Sequence, residues 1–140
     1  MNRTLRNIAL IGLFFTFQTF AFSQADKTMM LCEKHLVPPF VSDGQEYRAL
    51  LNGEELAEFN VTLYGGSTYR IIACSGNAEG LLIFSIYDRE KNLLFTNRDY
   101  KNSPYWDFKI KNTVNLTIEA ELEQKEGNSG FAFIQIGFKQ

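Results

Sequence analysis

The sequence is poor in the residues from which active sites are usually built. It holds one histidine, His35, and two cysteines, Cys32 and Cys74. A Ser–His–acid triad would have to take His35 as its base, in a segment limited by Pro38-Pro39, and no Gly-x-Ser-x-Gly stretch accompanies it. A structural zinc wants about four Cys, His or carboxylate ligands, and only Cys32, His35 and Cys74 are available, with Glu33 nearby. Haem attachment needs Cys-x-x-Cys-His, which is absent. Basic residues stand singly, as at Arg70, Arg89, Lys91 and Arg98. No cluster can neutralise several neighbouring phosphates, which excludes nucleic acid as a partner and argues against an anionic membrane surface. There is no internal repeat, no low-complexity tract, and no apolar run after Phe22 long enough to span a bilayer.

What is present begins at the N-terminus. Arg3 and Arg6 precede the uncharged run Ile8 to Phe22, and the small-residue site Ala21-Phe22-Ser23 follows. That is the order of a secretory signal peptide. The run of about 15 residues is short of the roughly 20 that a bilayer span requires. The expected division is residues 1–23 as signal peptide, 24–45 as an N-terminal segment and 46–140 as one domain. Removal of Arg3 and Arg6 with the leader takes two positive charges from a formal net charge of −2, giving −4. The expected location is outside the cytoplasm, whether periplasmic, on the outer surface or secreted. In such a compartment an even cysteine pair is most simply a disulfide, Cys32 to Cys74, with two free or buried thiols as the alternative. A lipid anchor on Cys32 is not expected, because Asp26, Lys27 and Met29-Met30-Leu31 separate it from the apolar run.

Asp26 to Leu36 has the spacing of one or two helical turns, with Asp26 or Thr28 as N-cap and Met29, Cys32 and Leu36 on one face. Pro38-Pro39 stops it, and Ser42-Asp43-Gly44 reads as a turn. From there the period becomes two. Tyr47–Leu51 is a weak first strand, ended by Asn52-Gly53. Phe59–Leu63 alternates, Gly65-Gly66 reads as a tight hairpin turn, and Tyr69–Ser75 is the return strand. Leu81–Tyr87 is almost wholly apolar and suits a sheet centre. The polar loop Asp88 to Asn92 leads into Leu93–Thr96, and a longer loop, Asn97 to Pro104, precedes Tyr105–Ile110. Lys111-Asn112 turns into Val114–Glu121, and Phe131–Phe138 is the last strand. About eight short strands without intervening helices predict an all-β fold, a single antiparallel β-sandwich of jelly-roll type.

A resemblance sits on these strands. The stretch Phe59-Asn60-Val61-Thr62-Leu63-Tyr64-Gly65-Gly66-Ser67-Thr68-Tyr69-Arg70-Ile71, followed by Phe84-Ser85-Ile86-Tyr87-Asp88, resembles the bacterial pre-peptidase C-terminal-type β-sandwich. The ending, from Tyr105-Trp106-Asp107-Phe108 to Ile136-Gly137-Phe138-Lys139, looks like small exported bacterial proteins of unknown function. The first resemblance implies a non-catalytic accessory to secreted enzymes.

Strand phase separates surface from core candidates. Trp106, Phe108 and Ile110 share one face and are expected inside, whereas Tyr105, Asp107 and Lys109 share the other. Tyr100 and Tyr105, with Arg98, Asp99 and Asn102, form a candidate platform for a peptide or glycan. In the last strand Ala132, Ile134 and Ile136 form one face and Phe131, Phe133 and Gln135 the other. Phe131 and Phe133 are therefore either covered by the N-terminal segment or open to a partner. No cofactor is expected. Calcium is the more credible ion, with weak candidate ligands at Asp88, Glu90, Asn92 and Asp107 and with Asp99 close by. A glycosidase-type carboxylate pair would come from Asp88, Asp99, Asp107 or Glu119. The expected function is binding or assembly with a protein or glycan partner. A carbohydrate- or calcium-binding accessory module comes second and a small secreted hydrolase third.

Overall fold

The computed structural model describes residues 20–76, 78–124 and 128–140, with side chains from Ala25 onward. Nearly all of the expected signal peptide lies outside the described residues; the backbone around its cleavage site, Ala21 to Ser23, falls in the first turns of a helix. This helix, α1, spans Phe20–Glu33 and ends three residues earlier than the spacing suggested. Among the described residues no helix is long and apolar enough to cross a membrane.

Eight strands follow: β1 (Val41–Asn52), β2 (Ala57–Leu63), β3 (Ser67–Cys74), β4 (Leu82–Tyr87), β5 (Leu93–Thr96), β6 (Tyr105–Ile110), β7 (Val114–Leu122) and β8 (Ser129–Lys139). They form two four-stranded antiparallel sheets, β1-β8-β3-β6 and β2-β7-β4-β5. Among the described residues only β4 and β5 are joined as a hairpin within one sheet. Every other connection carries the chain across to the opposite sheet, which is jelly-roll winding.

That winding corrects the expected turn at Gly65-Gly66. It links β2 to β3, which lie in different sheets, so it is a crossover rather than a hairpin. Glycine is needed there because the crossover from β6 to β7 passes alongside. A Cβ on Gly65 would stand 2.6 Å from the Lys111 carbonyl oxygen, and the Gly66 N–H donates to the Ile110 carbonyl at 2.8 Å. Ser42-Asp43-Gly44 is likewise not a turn before the first strand. It is a bulge inside β1, where the register with β8 shifts between Ser42 and Glu46 and Gly44 takes a φ of 82°. The first strand therefore begins at Val41, six residues before the expected Tyr47.

Between the sheets the alternation works as period-two arithmetic requires. Tyr69, Ile71 and Ala73 of β3 meet Phe84 and Ile86 of β4 and Leu116, Ile118 and Ala120 of β7, all buried. The other face of β3 and β8 is apolar too, and α1 covers it. Ile72, Cys74 and Phe133 are buried there with Cys32, flanked by Met29, Leu31 and Leu36. The Cys32–Cys74 disulfide fixes the helix to β3, with a Cα–Cα distance of 5.7 Å.

A second clasp holds the segment after α1. The Arg70 guanidinium lies between the rings of Phe40 and Tyr105, 4.2 and 4.4 Å from their centroids. It donates two bonds to the Asp107 carboxylate, at 2.7 and 2.9 Å, and one to the His35 carbonyl at 3.1 Å. The charge-assisted pair with Asp107 drives the Arg70 pKa up. Pro38-Pro39, joined by a cis peptide bond, leads the chain from this clasp into β1.

Candidate functional site

The loop between β5 and β6 opens with a 3-10 turn, Asn97–Tyr100, and one buried residue fixes it. Asn97 is fully buried; its side-chain oxygen accepts from the Phe84 N–H at 3.0 Å. Its amide donates to the carbonyls of Leu82 at 3.1 Å and Ser103 at 3.0 Å. Lys101 and Asn102 then take left-handed conformations that bring the chain back towards β6. Sheet centre and loop are thereby locked together.

The result is a stepped row of rings along the β5/β6 edge of the sandwich. Tyr100 stacks on Phe95, with centroids 5.5 Å apart and planes 12° apart, and its ring centroid lies 4.2 Å from that of Trp106. Phe95 meets Phe108 edge-on at 5.1 Å and Phe84 at 5.4 Å, so the row runs from the core to the surface. Tyr100 remains 48% exposed, and Leu93 and Leu94 on the same edge strand are 54% and 56% exposed.

The other predicted platform residues are distributed by this geometry. Arg98 pairs with Glu121 at 2.6 Å and Glu123 at 3.5 Å, and the Asn102 amide donates to the Gly80 carbonyl at 3.4 Å. Both hold the loop in place. Asp99 is exposed beside Tyr100. Tyr105 does point away from Trp106, as strand phase required, but it does not join Tyr100. It lies half-buried on the outer face of the other sheet, 4.9 Å from the His35 ring and under Arg70. Phe133 is 4% exposed beneath α1 and is withdrawn from any free surface. Phe131 stays 36% exposed, opposite Leu50 in the β1–β8 register. Trp106 packs against the edge of the core, half-buried rather than fully enclosed.

Of the ion candidates, Asp88 and Asn92 meet in the β4–β5 loop, whereas Asp107 does not join them. Asp88 closes the β4–β5 loop by accepting from the backbone and side-chain amides of Asn92, both at 2.8 Å, which hold its carboxyl below the usual range. Asp107 belongs to the opposite sheet and is committed to Arg70. His35 is 2.8 Å from the Glu79 carboxylate, which also accepts from Lys34 at 2.6 Å. Among the described residues no group of three His, Cys, Asp or Glu side chains is placed to hold a metal.

Two depressions escaped the sequence reading. A shallow groove of about 250 Å³ on the outer face of β2 and β7 is lined by Asn60, Thr62, Asn115 and Thr117, with Arg89 over it. Thr62 donates to Asn115 at 2.7 Å and Thr117 to Asn60 at 3.1 Å. A larger cleft of about 340 Å³ opens at the bulged end of β1, between Asp43, Gln45, Tyr64, Ser67, Tyr69 and Phe138. The Asp43 carboxyl accepts from the Gln45 N–H at 2.8 Å, and burial pushes its pKa up. Burial and the Asp43 charge raise that of Tyr47, whose hydroxyl bonds the Gln45 side chain. The available signal was Ser42-Asp43-Gly44, whose turn chemistry serves a bulge that re-aims side chains.

A small jelly-roll sandwich with a disulfide-fastened N-terminal helix is the class that fold and surface define. No protein-family model and no curated protein matches the sequence. Among solved structures the chain is similar to PliG of Aeromonas hydrophila, a periplasmic lysozyme inhibitor of g-type lysozyme. The TM-score is 0.52 at 8% sequence identity, over 68% of this chain and 85% of that one. At that identity the likeness is one of fold.

Proposed function

We propose that this chain is an exported, non-catalytic β-sandwich protein that binds a protein partner in the periplasm, at the outer surface or outside the cell. The observation that carries the reading is the ring row at the β5/β6 edge, where exposed Tyr100 is stacked on Phe95, packed at a tilt against Trp106 and braced by buried Asn97. Binding energy at protein interfaces concentrates in rigidly held aromatic side chains, and exposed apolar patches mark such interfaces. The pattern of residues 1–23 and the Cys32–Cys74 disulfide support export, since disulfides persist in oxidising compartments. The groups that chemistry would draw on, His35, Asp107 and the two cysteines, serve structural partners instead. The resemblance to pre-peptidase C-terminal-type domains supports the same non-catalytic role. The similar solved structure is a lysozyme inhibitor, so a cell-wall hydrolase of the lysozyme kind is the partner class to try first.

The test is turbidimetric assay of g-type lysozyme and other cell-wall hydrolases with the protein purified from its exported fraction. Saturable slowing of one enzyme, weakened about tenfold or more in Tyr100→Ala at an unchanged melting temperature, is the expected result. Slowing that Tyr100→Ala leaves untouched would remove the ring row from the interface. No effect on any such hydrolase would exclude this partner class.

A glycan-binding accessory role is the second reading, favoured by the groove of amides and hydroxyls on β2 and β7. Arg89 there has no ion-pair partner among the described residues. Retention of the wild-type protein, but not of Asn60→Ala, on an immobilised polysaccharide would bring it forward.

A further inference from the structure

We propose that the cleft at the bulged end of β1 binds an organic cation, an alkylammonium or guanidinium group of the kind that lysine and arginine side chains carry. This site shares no residue with the ring row and goes beyond the reading above.

Asp43 is the one charged side chain in the lining, which holds no Lys, Arg or His. Asp43 has no ion-pair partner among the described residues, whereas Glu46, Glu58, Asp107 and Glu121 on the strands each have one. Its carboxylate is partly withdrawn from water, which disfavours the charged form, and backbone N–H groups offset this only in part. A positive charge placed in the cleft would supply what is missing. An anion would meet a carboxylate and no donor of opposite charge.

The walls suit a cation as well. Tyr64 is 65% exposed at the rim, and Tyr69 and Phe138 form a pair of tilted rings with centroids 6.2 Å apart. Ring faces attract ammonium and guanidinium groups, and the attraction grows as water is excluded. The cleft's 340 Å³ falls in the range of small-molecule sites and admits one basic head group with part of its stem. The backbone fixes the geometry. Gly44, at a φ of 82°, sets the bulge that carries Asp43, and the Tyr69 hydroxyl accepts from the Tyr64 N–H at 3.0 Å, holding the rim strand against the floor.

Titration followed by backbone amide chemical shifts of the whole exported protein tests the site. The probe is Nα-acetyl-lysine methylamide, with its Nε-acetylated form as the uncharged control. Saturable shifts at Gly44, Gln45, Tyr64 and Ser67 are expected, with the control binding at least about tenfold more weakly. Asp43→Asn keeps a side-chain acceptor for the Gln45 N–H but removes the charge. It should weaken the cationic probe about tenfold while leaving the melting temperature the same or higher, because the displaced charge was uncompensated. Tyr64→Ala, at an exposed rim position, should weaken it severalfold with little change in melting. Tighter binding of a lysine-bearing peptide than of tetramethylammonium would assign the occupant to a protein; equal binding would assign it to a small amine. Equal shifts from the acetylated control, full affinity in Asp43→Asn, or shifts confined to other surfaces would overturn the proposal.

Discussion

The outer faces of the two sheets of this sandwich differ in kind. On the β1-β8-β3-β6 sheet, Ile72, Cys74 and Phe133 are as buried as the central core, because α1 lies over them, bonded through Cys32 and clasped by Arg70. On the β2-β7-β4-β5 sheet, Asn60, Thr62, Asn115, Thr117 and Glu119 face outward, partly or fully exposed to water, with Thr62 bonded to Asn115 and Thr117 to Asn60 across the strands. The inward faces of both sheets are alike. A strand's inward residues thus report the sandwich, and its outward residues report what covers it.

The sharpest way to break the contrast is to release the cover. Replacing both Cys32 and Cys74 by alanine should cost about 4 kcal/mol in denaturant unfolding, the loop-entropy expectation for residues that far apart in sequence. Amide hydrogen exchange should rise over α1 and the outer face of β8 before it rises in β7. A loss of less than about 1 kcal/mol would mean that helix packing alone secures this face.

The Arg70 clasp comes next. Arg70→Ala strips the guanidinium from two rings, a carboxylate and the His35 carbonyl, and hydrogen bonds to charged groups are worth about 1.5–3 kcal/mol each net. A loss of about 2–3 kcal/mol is expected, and Arg70→Lys should recover little of it, since a point charge cannot match the two-pronged bond to Asp107.

Acid provides a gentler lever on the same cover. Hydrogen bonds from Lys34 and then His35 hold the Glu79 carboxyl below its ordinary value of 4.5. A depressed carboxyl contributes stability that is present above the unfolded value and lost as pH falls through the folded one. Protection factors of the α1 C-terminal amides, corrected for intrinsic exchange, should therefore fall as pH drops below 4.5, and Glu79→Gln should flatten that dependence. Asp43 has the opposite sign. Its raised pKa favours folding in acid, and that contribution is lost as pH rises through the folded value.

The smallest effect belongs to the open sheet. Thr117→Ala removes one exposed hydrogen bond to Asn60 and should change stability by no more than about 0.5 kcal/mol in thermal melts. A larger loss would show that the polar face is structural rather than merely solvated.

Strand positions were legible because alternation of Leu116, Ile118 and Ala120 with Asn115, Thr117 and Glu119 has one physical reading. The double-sided apolar character of β8 left two readings, a cover or a partner, and α1 supplies the cover over Phe133; the even cysteine pair of an exported chain pointed to the disulfide that fastens it. Three features were not legible, for specific reasons. Gly65-Gly66 has hairpin chemistry, but its demand for glycine comes from the distant Lys111 carbonyl. The β1 bulge uses the same residues as a turn. Tyr105 and Trp106 were assigned to opposite faces correctly, yet only tertiary packing shows that the nominally outward Tyr105 lies half-buried under Arg70 and His35, while Tyr100 remains free at the edge.

The most direct test of the proposed binding edge sets the two surfaces side by side as bait. Wild-type, Tyr100→Ala and Thr117→Ala proteins, immobilised after confirmation of equal melting, would be exposed to the exported fraction of the native cell and the retained proteins identified and titrated. The ring row predicts one discrete protein held by the wild type and Thr117→Ala and lost, by about tenfold or more in affinity, from Tyr100→Ala. A partner lost from Thr117→Ala but kept by Tyr100→Ala would place recognition on the polar face and contradict the assignment to the edge.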